Sequence, residues 1–151
     1  MDRERNRTMQ SDPNSISLND TTRLDAVDYA VNRAGVLGIP NSGKSWTSTK
    51  IAEELMLANI PILVFDPVGV WKFLREGRNG FQGFPIVVAG SERTKPDVLL
   101  TEDNADTIVR TCLKHGLSVI LDFFGDRNKS KWRRVITTTV NILLDENYLY
   151  G

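Results

Sequence analysis

The octapeptide Gly38-Ile39-Pro40-Asn41-Ser42-Gly43-Lys44-Ser45 constrains this chain more than any other stretch. It fills every fixed position of the pattern G-x-x-x-x-G-K-[S/T]. With average residue usage, a chain of this length produces such a match by chance about once in 200 sequences. The flanks sharpen the signal. An apolar run, Ala34-Gly35-Val36-Leu37, enters the loop in the manner of a buried parallel strand. A helical pattern leaves it, running from Lys44 to about Ala58 with Ile51, Leu55 and Ala58 on one face.

Strand, glycine-rich loop and helix together form an anion cradle. The glycines permit backbone conformations that turn successive N–H groups toward one point. Those donors open a helix, whose dipole favours negative charge there. Lys44 supplies a mobile cation for β- and γ-phosphates, and the Ser45 hydroxyl is a ligand for Mg²⁺. The expected ligand is ATP with Mg²⁺. Its expected contacts are Gly38, Ile39, Pro40, Asn41, Ser42, Gly43, Lys44, Ser45 and the adjoining Trp46. The competing reading is a strand-to-helix turn with a solvated lysine.

The rest of the chain alternates strand and helix patterns. Residues 1–20 mix Arg3, Arg5 and Arg7 with acids, Ser and Asn, and read as a flexible polar tail. Residues 21–151 read as one domain. Leu24, Val27 and Val31 suggest a short helix. Pro61–Phe65 reads as a strand stopped by Asp66-Pro67, followed by a turn or short helix over Val70–Arg75 and a loop marked by Gly77, Gly80 and Gly83. Pro85–Ala89 reads as a further strand. A helix follows from Thr101, carrying Ala105, Ile108, Val109, Cys112 and Leu113 at helical spacing and ending at Gly116. Leu117–Phe123 is another apolar strand, and Trp132 to Leu143 again shows a period near 3.6. Such alternation implies an α/β, layered fold with a mainly parallel sheet.

Composition removes other classes. The 151 residues are 40% hydrophobic and 25% charged with zero formal net charge, so no global field draws the chain to nucleic acid or membrane. One cysteine, Cys112, rules out an internal disulfide framework and a thiolate cluster. Polar residues at the N-terminus do not make a secretory signal, and no apolar run is long enough to span a membrane. The expected location is the cytoplasm.

Hydrolysis would need a carboxylate near Mg²⁺ and a group that orients water. Asp66 ends one apolar run, where it serves equally as the start of an Asp-Pro turn. Asp122 ends Val119-Ile120-Leu121 and is a candidate metal neighbour, although Phe123 follows where many ATPases place a glutamate. Ile142-Leu143-Leu144-Asp145-Glu146 spells an apolar run and an acidic pair, but helical periodicity puts Asp145 and Glu146 on a helix's last turn.

With Ile62-Leu63-Val64-Phe65-Asp66-Pro67-Val68-Gly69 added to the phosphate loop, residues 24–151 resemble the HerA/FtsK superfamily of P-loop ATPases, nearest the HerA-type helicase central domain. The resemblance implies a three-layer P-loop fold, a strand ending in Asp at Leu117–Asp122, and the helix after it at Trp132–Asn147. It further implies ATP turnover coupled to DNA movement by a hexameric ring. Two features depart from the pattern. Val70 and Trp71 stand where members carry an acidic residue, and the sequence stops where the Walker B strand, the water-positioning residue and the arginine finger belong. The resemblance therefore implies binding and leaves hydrolysis open, the chain reading as the N-terminal portion of such a domain or as a nucleotide-binding module. The basic stretch Arg127, Lys129, Lys131, Arg133 and Arg134 could face DNA phosphates, against the reading of a solvated helix side with Trp132 in the core.

Two rivals fare worse. A GTPase would use Asp66-Pro67-Val68-Gly69 as D-x-x-G and Asn128-Lys129 as a guanine reader, but Lys131 stands where an Asp must accept from the base. A small-molecule kinase needs an arginine-bearing lid, and no segment supplies one.

Overall fold

The computed structural model describes residues 15–19, 21–26, 36–37, 39–76 and 82–144, and the chain divides into two compact units, Met1–Ala58 and Asn59–Gly151.

In the first unit, β1 (Ser15–Ser17) pairs antiparallel with β2 (Arg23–Asp25), Ile16 facing Leu24. Ile16 is fully buried. Helix α1 (Lys44–Leu57) packs against β1, and its buried residues Ile51, Ala52 and Leu55 share one face. Glu54 joins the two elements, accepting from the Ser17 amide at 3.3 Å and from Lys50 one turn earlier at 2.5 Å. Ser15–Ser17 is thus a strand within the expected tail, and Leu24, expected on a helix, pairs in the ladder instead, while Ala26, the residue after β2, is helical. Val27 and Val31 of that expected helix lie outside the described residues.

The run expected as a strand before the loop is also different. Ala34 and Gly35 lie outside the described residues, while Val36 and Leu37 belong to no strand, and Leu37 is 94% exposed. A strand needs a neighbour to complete its ladder, and none pairs with these two among the described residues.

The second unit holds a four-stranded, all-parallel sheet in the order β3-β6-β4-β5, made of β3 (Leu63–Asp66), β4 (Ile86–Gly90), β5 (Val98–Leu99) and β6 (Ser118–Asp122). The fold is α/β with helices flanking this sheet. Parallel strands covered on both faces read as continuous apolar runs, and central β6 is buried at all five positions. On one face Val119, Leu121 and Phe123 join Ala89 in a core completed by α3 (Ala105–Lys114) and α4 (Lys129–Leu144). Burying side chains of this size stabilises by about 1.5–3 kcal/mol each.

Local chemistry sets the helix ends. Asn104 Oδ1 accepts from the Thr101 amide at 2.8 Å while Thr101 Oγ1 accepts from the Asn104 amide at 3.2 Å, so α3 begins at Ala105 and not at Thr101. Gly116 ends it at φ 64, as its placement predicts. Ala105, Ile108, Val109 and Cys112 form the buried stripe. In α4 the stripe is Val135, Thr139 and Ile142, and the buried Thr139 hydroxyl donates back to the Val135 carbonyl at 2.9 Å. Asp145 and Glu146 lie outside the described residues. A short helix, α2 (Phe73–Glu76), follows β3; Arg75 at its end grips Asp97 through two bonds of 2.9 and 3.1 Å. Asp97 also accepts from the Val88 amide, which fixes the edge strand β5, an element with no sequence signal.

Candidate functional site

Residues 39–43, before α1, turn sharply. The Ile39 carbonyl accepts from the Ser42 amide at 3.2 Å and from Lys44 Nζ at 2.7 Å. Asn41 at φ 63 and Gly43 at φ 87 are left-handed, a conformation open to Gly and tolerated by Asn. Helix α1 starts directly after Gly43, its first bond running from the Thr47 amide to the Gly43 carbonyl at 2.9 Å. No side chain caps this end and no acidic residue stands in its first turn. The first N–H groups of any helix lack intrahelical partners, so the Lys44–Trp46 amides are donors of a kind that suits an anion. Ile39, Pro40, Asn41, Ser42, Gly43, Ser45 and Trp46 are exposed, Lys44 is half-buried, and Gly38 lies outside the described residues.

The second unit gathers its polar groups at the carboxyl ends of β3 and β6, the edge at which open α/β sheets bind ligands. Asp66 and Asp122 are register partners there, and both are buried. Asp66 is consumed by its own turn. Oδ1 accepts from the Val68 and Gly69 amides at 3.0 and 2.8 Å, and Oδ2 from the Trp71 amide at 2.9 Å. Gly69, at φ 76, lies so close to Phe124 that a Cβ would stand 2.9 Å from its Cβ and Cγ.

Asp122 Oδ1 accepts from the Phe124 amide at 2.8 Å, and Oδ2 stands 2.8 Å from Lys72 Nζ. The contact is an ion pair without hydrogen-bond alignment, and the same ammonium donates to the Thr94 carbonyl at 2.7 Å. Sequence reasoning singled out both aspartates and missed Lys72. A buried acid at a strand end needs amides or a cation around it, and that Lys72 is what reaches Asp122 is decided only when the loop after β3 meets the end of β6. Among the described residues, no group of three or more His, Cys, Asp or Glu side chains could hold a metal ion.

The basic stretch splits by role. Lys131 pairs with Asp126 at 2.9 Å and Arg134 with Glu102 at 3.0 Å. Trp132 packs against the core, its ring centroid 5.2 Å from that of Phe123. Arg127, Lys129 and Arg133 remain exposed. Among the described residues no helix is long and apolar enough to cross a membrane. Comparison with family models, with curated proteins and with solved structures finds no match for this chain.

Proposed function

We propose that this chain binds a nucleoside triphosphate, ATP with Mg²⁺, through the loop at residues 38–45. The observation that carries the reading is the turn itself. Ile39, Asn41 and Gly43 bend the chain so that Lys44 folds back over the loop and an uncapped helix N-terminus follows at once. Backbone donors at Lys44, Ser45 and Trp46 would meet phosphate oxygens, and Lys44 would exchange the Ile39 carbonyl for the β- and γ-phosphates. Ser45 fits Mg²⁺, being exposed on the first helical turn. Asp122 fits it poorly, because a metal would have to displace the Lys72 ammonium. Bound Mg²⁺ would neutralise phosphate charge; the chain's own groups orient the triphosphate.

Within this reading the sequence resemblance favours a cytoplasmic, DNA-translocating ATPase of the HerA type, working as a ring of copies. A nucleotide-binding module without turnover is the second reading, and a specific observation favours it. Both carboxylates at the sheet edge are committed, Asp66 to three amides and Asp122 to Lys72. Binding of ATP and release of phosphate, measured with and without DNA, separate the two. Release stimulated by DNA and abolished by Lys44→Ala supports the motor. Micromolar binding that Lys44→Ala destroys, with no release, supports the module. Binding unaffected by Lys44→Ala removes both.

A further inference from the structure

A crevice of about 560 Å³ opens beyond the carboxyl ends of β4 and β6. Its lining comes from two loops, Ser91, Glu92 and Arg93 after β4, and Gly125, Asp126 and Arg127 after β6. Gly90 and Asp122 are register partners in neighbouring parallel strands, so the loops that follow leave the sheet side by side. Gly125 is left-handed at φ 78, and the Arg93 stem lies near it, Arg93 Cδ standing 3.6 Å from where a Cβ would be.

The charges in this crevice are unevenly committed. Asp126 is spent, since it accepts from the Asn128 amide at 2.8 Å and pairs with Lys131 at 2.9 Å. Neither the Arg93 nor the Arg127 guanidinium has a hydrogen-bond or ion-pair partner among the described residues. Glu92 is the single lining acid whose carboxylate is likewise unengaged, and it offsets one of the two cations. The Ser91 hydroxyl is out of solvent and also lacks a partner among the described residues, an arrangement that disfavours the free state. Helix α4 begins at Lys129 just past this loop, where Asn128 Oδ1 accepts from the Lys131 amide at 3.0 Å.

We propose that Arg93, Arg127 and the Ser91 hydroxyl form a binding site for a phosphate group. Guanidinium forks match the paired oxygens of a phosphate, and the serine hydroxyl supplies the third contact that its present isolation leaves open. The site is built from residues other than 38–45 and does not rest on that loop's function. A phosphate monoester or free phosphate and the diester of a nucleic-acid backbone present the same oxygens; the two sources differ in how many phosphates each brings.

Amide shifts of the full chain in the Lys44→Ala background, titrated with inorganic phosphate, with a short single-stranded oligonucleotide and with acetate, test the proposal. Saturable shifts at Ser91, Gly125 and Arg127 are expected, and Arg93→Gln or Arg127→Gln should each weaken them roughly ten-fold, the loss of one charge-assisted contact. A response to phosphate identifies a small anion as sufficient, and a response to the oligonucleotide alone identifies a diester source; both support the site. Equal response to acetate, shifts confined to other residues, or affinity unchanged in both arginine variants would overturn it. Both arginines are exposed, so the variants should fold, and unchanged shifts elsewhere confirm that they do.

Discussion

Lys72 Nζ stands 2.8 Å from Asp122 Oδ2 while donating to the Thr94 carbonyl at 2.7 Å, so one ammonium ties the loops that follow β3 and β4 to the end of β6. Asp122 has no exposed side-chain surface and Lys72 keeps 28% of its own. The burden of burial therefore falls on the acid. Removing the cation strands a buried carboxylate, whereas removing the acid leaves an ammonium that water can reach.

Lys72→Met should therefore destabilise the protein by about 3–5 kcal/mol, the cost of breaking a buried pair from one side. Asp122→Asn keeps an acceptor for the Phe124 amide and should cost less, about 1–2 kcal/mol. Urea unfolding of both variants and of the double variant measures this. A Lys72→Met cost no greater than that of Asp122→Asn would mean that the pair does not hold Asp122 inside.

Asp66 makes a different prediction because its partners are amides. Asp66→Ala strips the acceptor from the Val68, Gly69 and Trp71 N–H groups together. Exchange at those three amides should accelerate strongly, with a stability loss of about 2–4 kcal/mol. Exchange at the β6 amides should change only by the global loss. Unaltered protection at Val68 and Gly69 would show that the turn stands without the carboxylate.

The two aspartates mark how far the sequence could be read. Apolar runs ending at Asp66 and Asp122 located β3 and β6, although only central β6 is buried along its length and Leu63–Phe65 of edge strand β3 are half-buried. The helical stripes of α3 and α4 were legible too. The turn before α1 could be anticipated from Gly43, which stands at φ 87, a conformation open to glycine. What could not be read depends on partners distant in sequence. Arg23–Asp25 becomes a strand because Ser15–Ser17 lies beside it, and β5 exists because Asp97 is gripped by Arg75 from 22 residues away. Lys72 has no pattern around it at all; its role follows from which acid it meets. The same limit hid the crevice of Arg93 and Arg127, whose loops are unremarkable until β4 and β6 place them side by side.

Cys112 offers a test of the α3 face. It is buried in the core, and burial pushes its thiol above the ordinary 9.0. Neutral thiol, shielded from solvent, is a poor nucleophile. Alkylation by iodoacetamide at pH 8 should be slower than in the urea-unfolded chain by a factor of 100 or more, on the order of the fraction of time the core opens. Labelling at the unfolded rate would place Cys112 on the surface and remove α3 from the core.

Asp126 sets an acid limb on stability. Burial pushes its carboxyl up, but the Asn128 amide and the Lys131 ammonium together outweigh that and hold it below the ordinary 3.8. The folded state therefore binds this proton less readily than the unfolded chain does. Stability from the ionised form is complete above the unfolded value near 3.9 and is lost as pH falls through the lower folded value. Asp126→Asn keeps an acceptor for the Asn128 amide and gives up the charge. Its deficit relative to the parent chain should be constant between pH 5 and 7 and should close as pH falls below about 4. Denaturant midpoints of both proteins across that range read the effect directly. A deficit that persists undiminished to pH 2.5 would show that the charge on Asp126 does not hold the start of α4 in place.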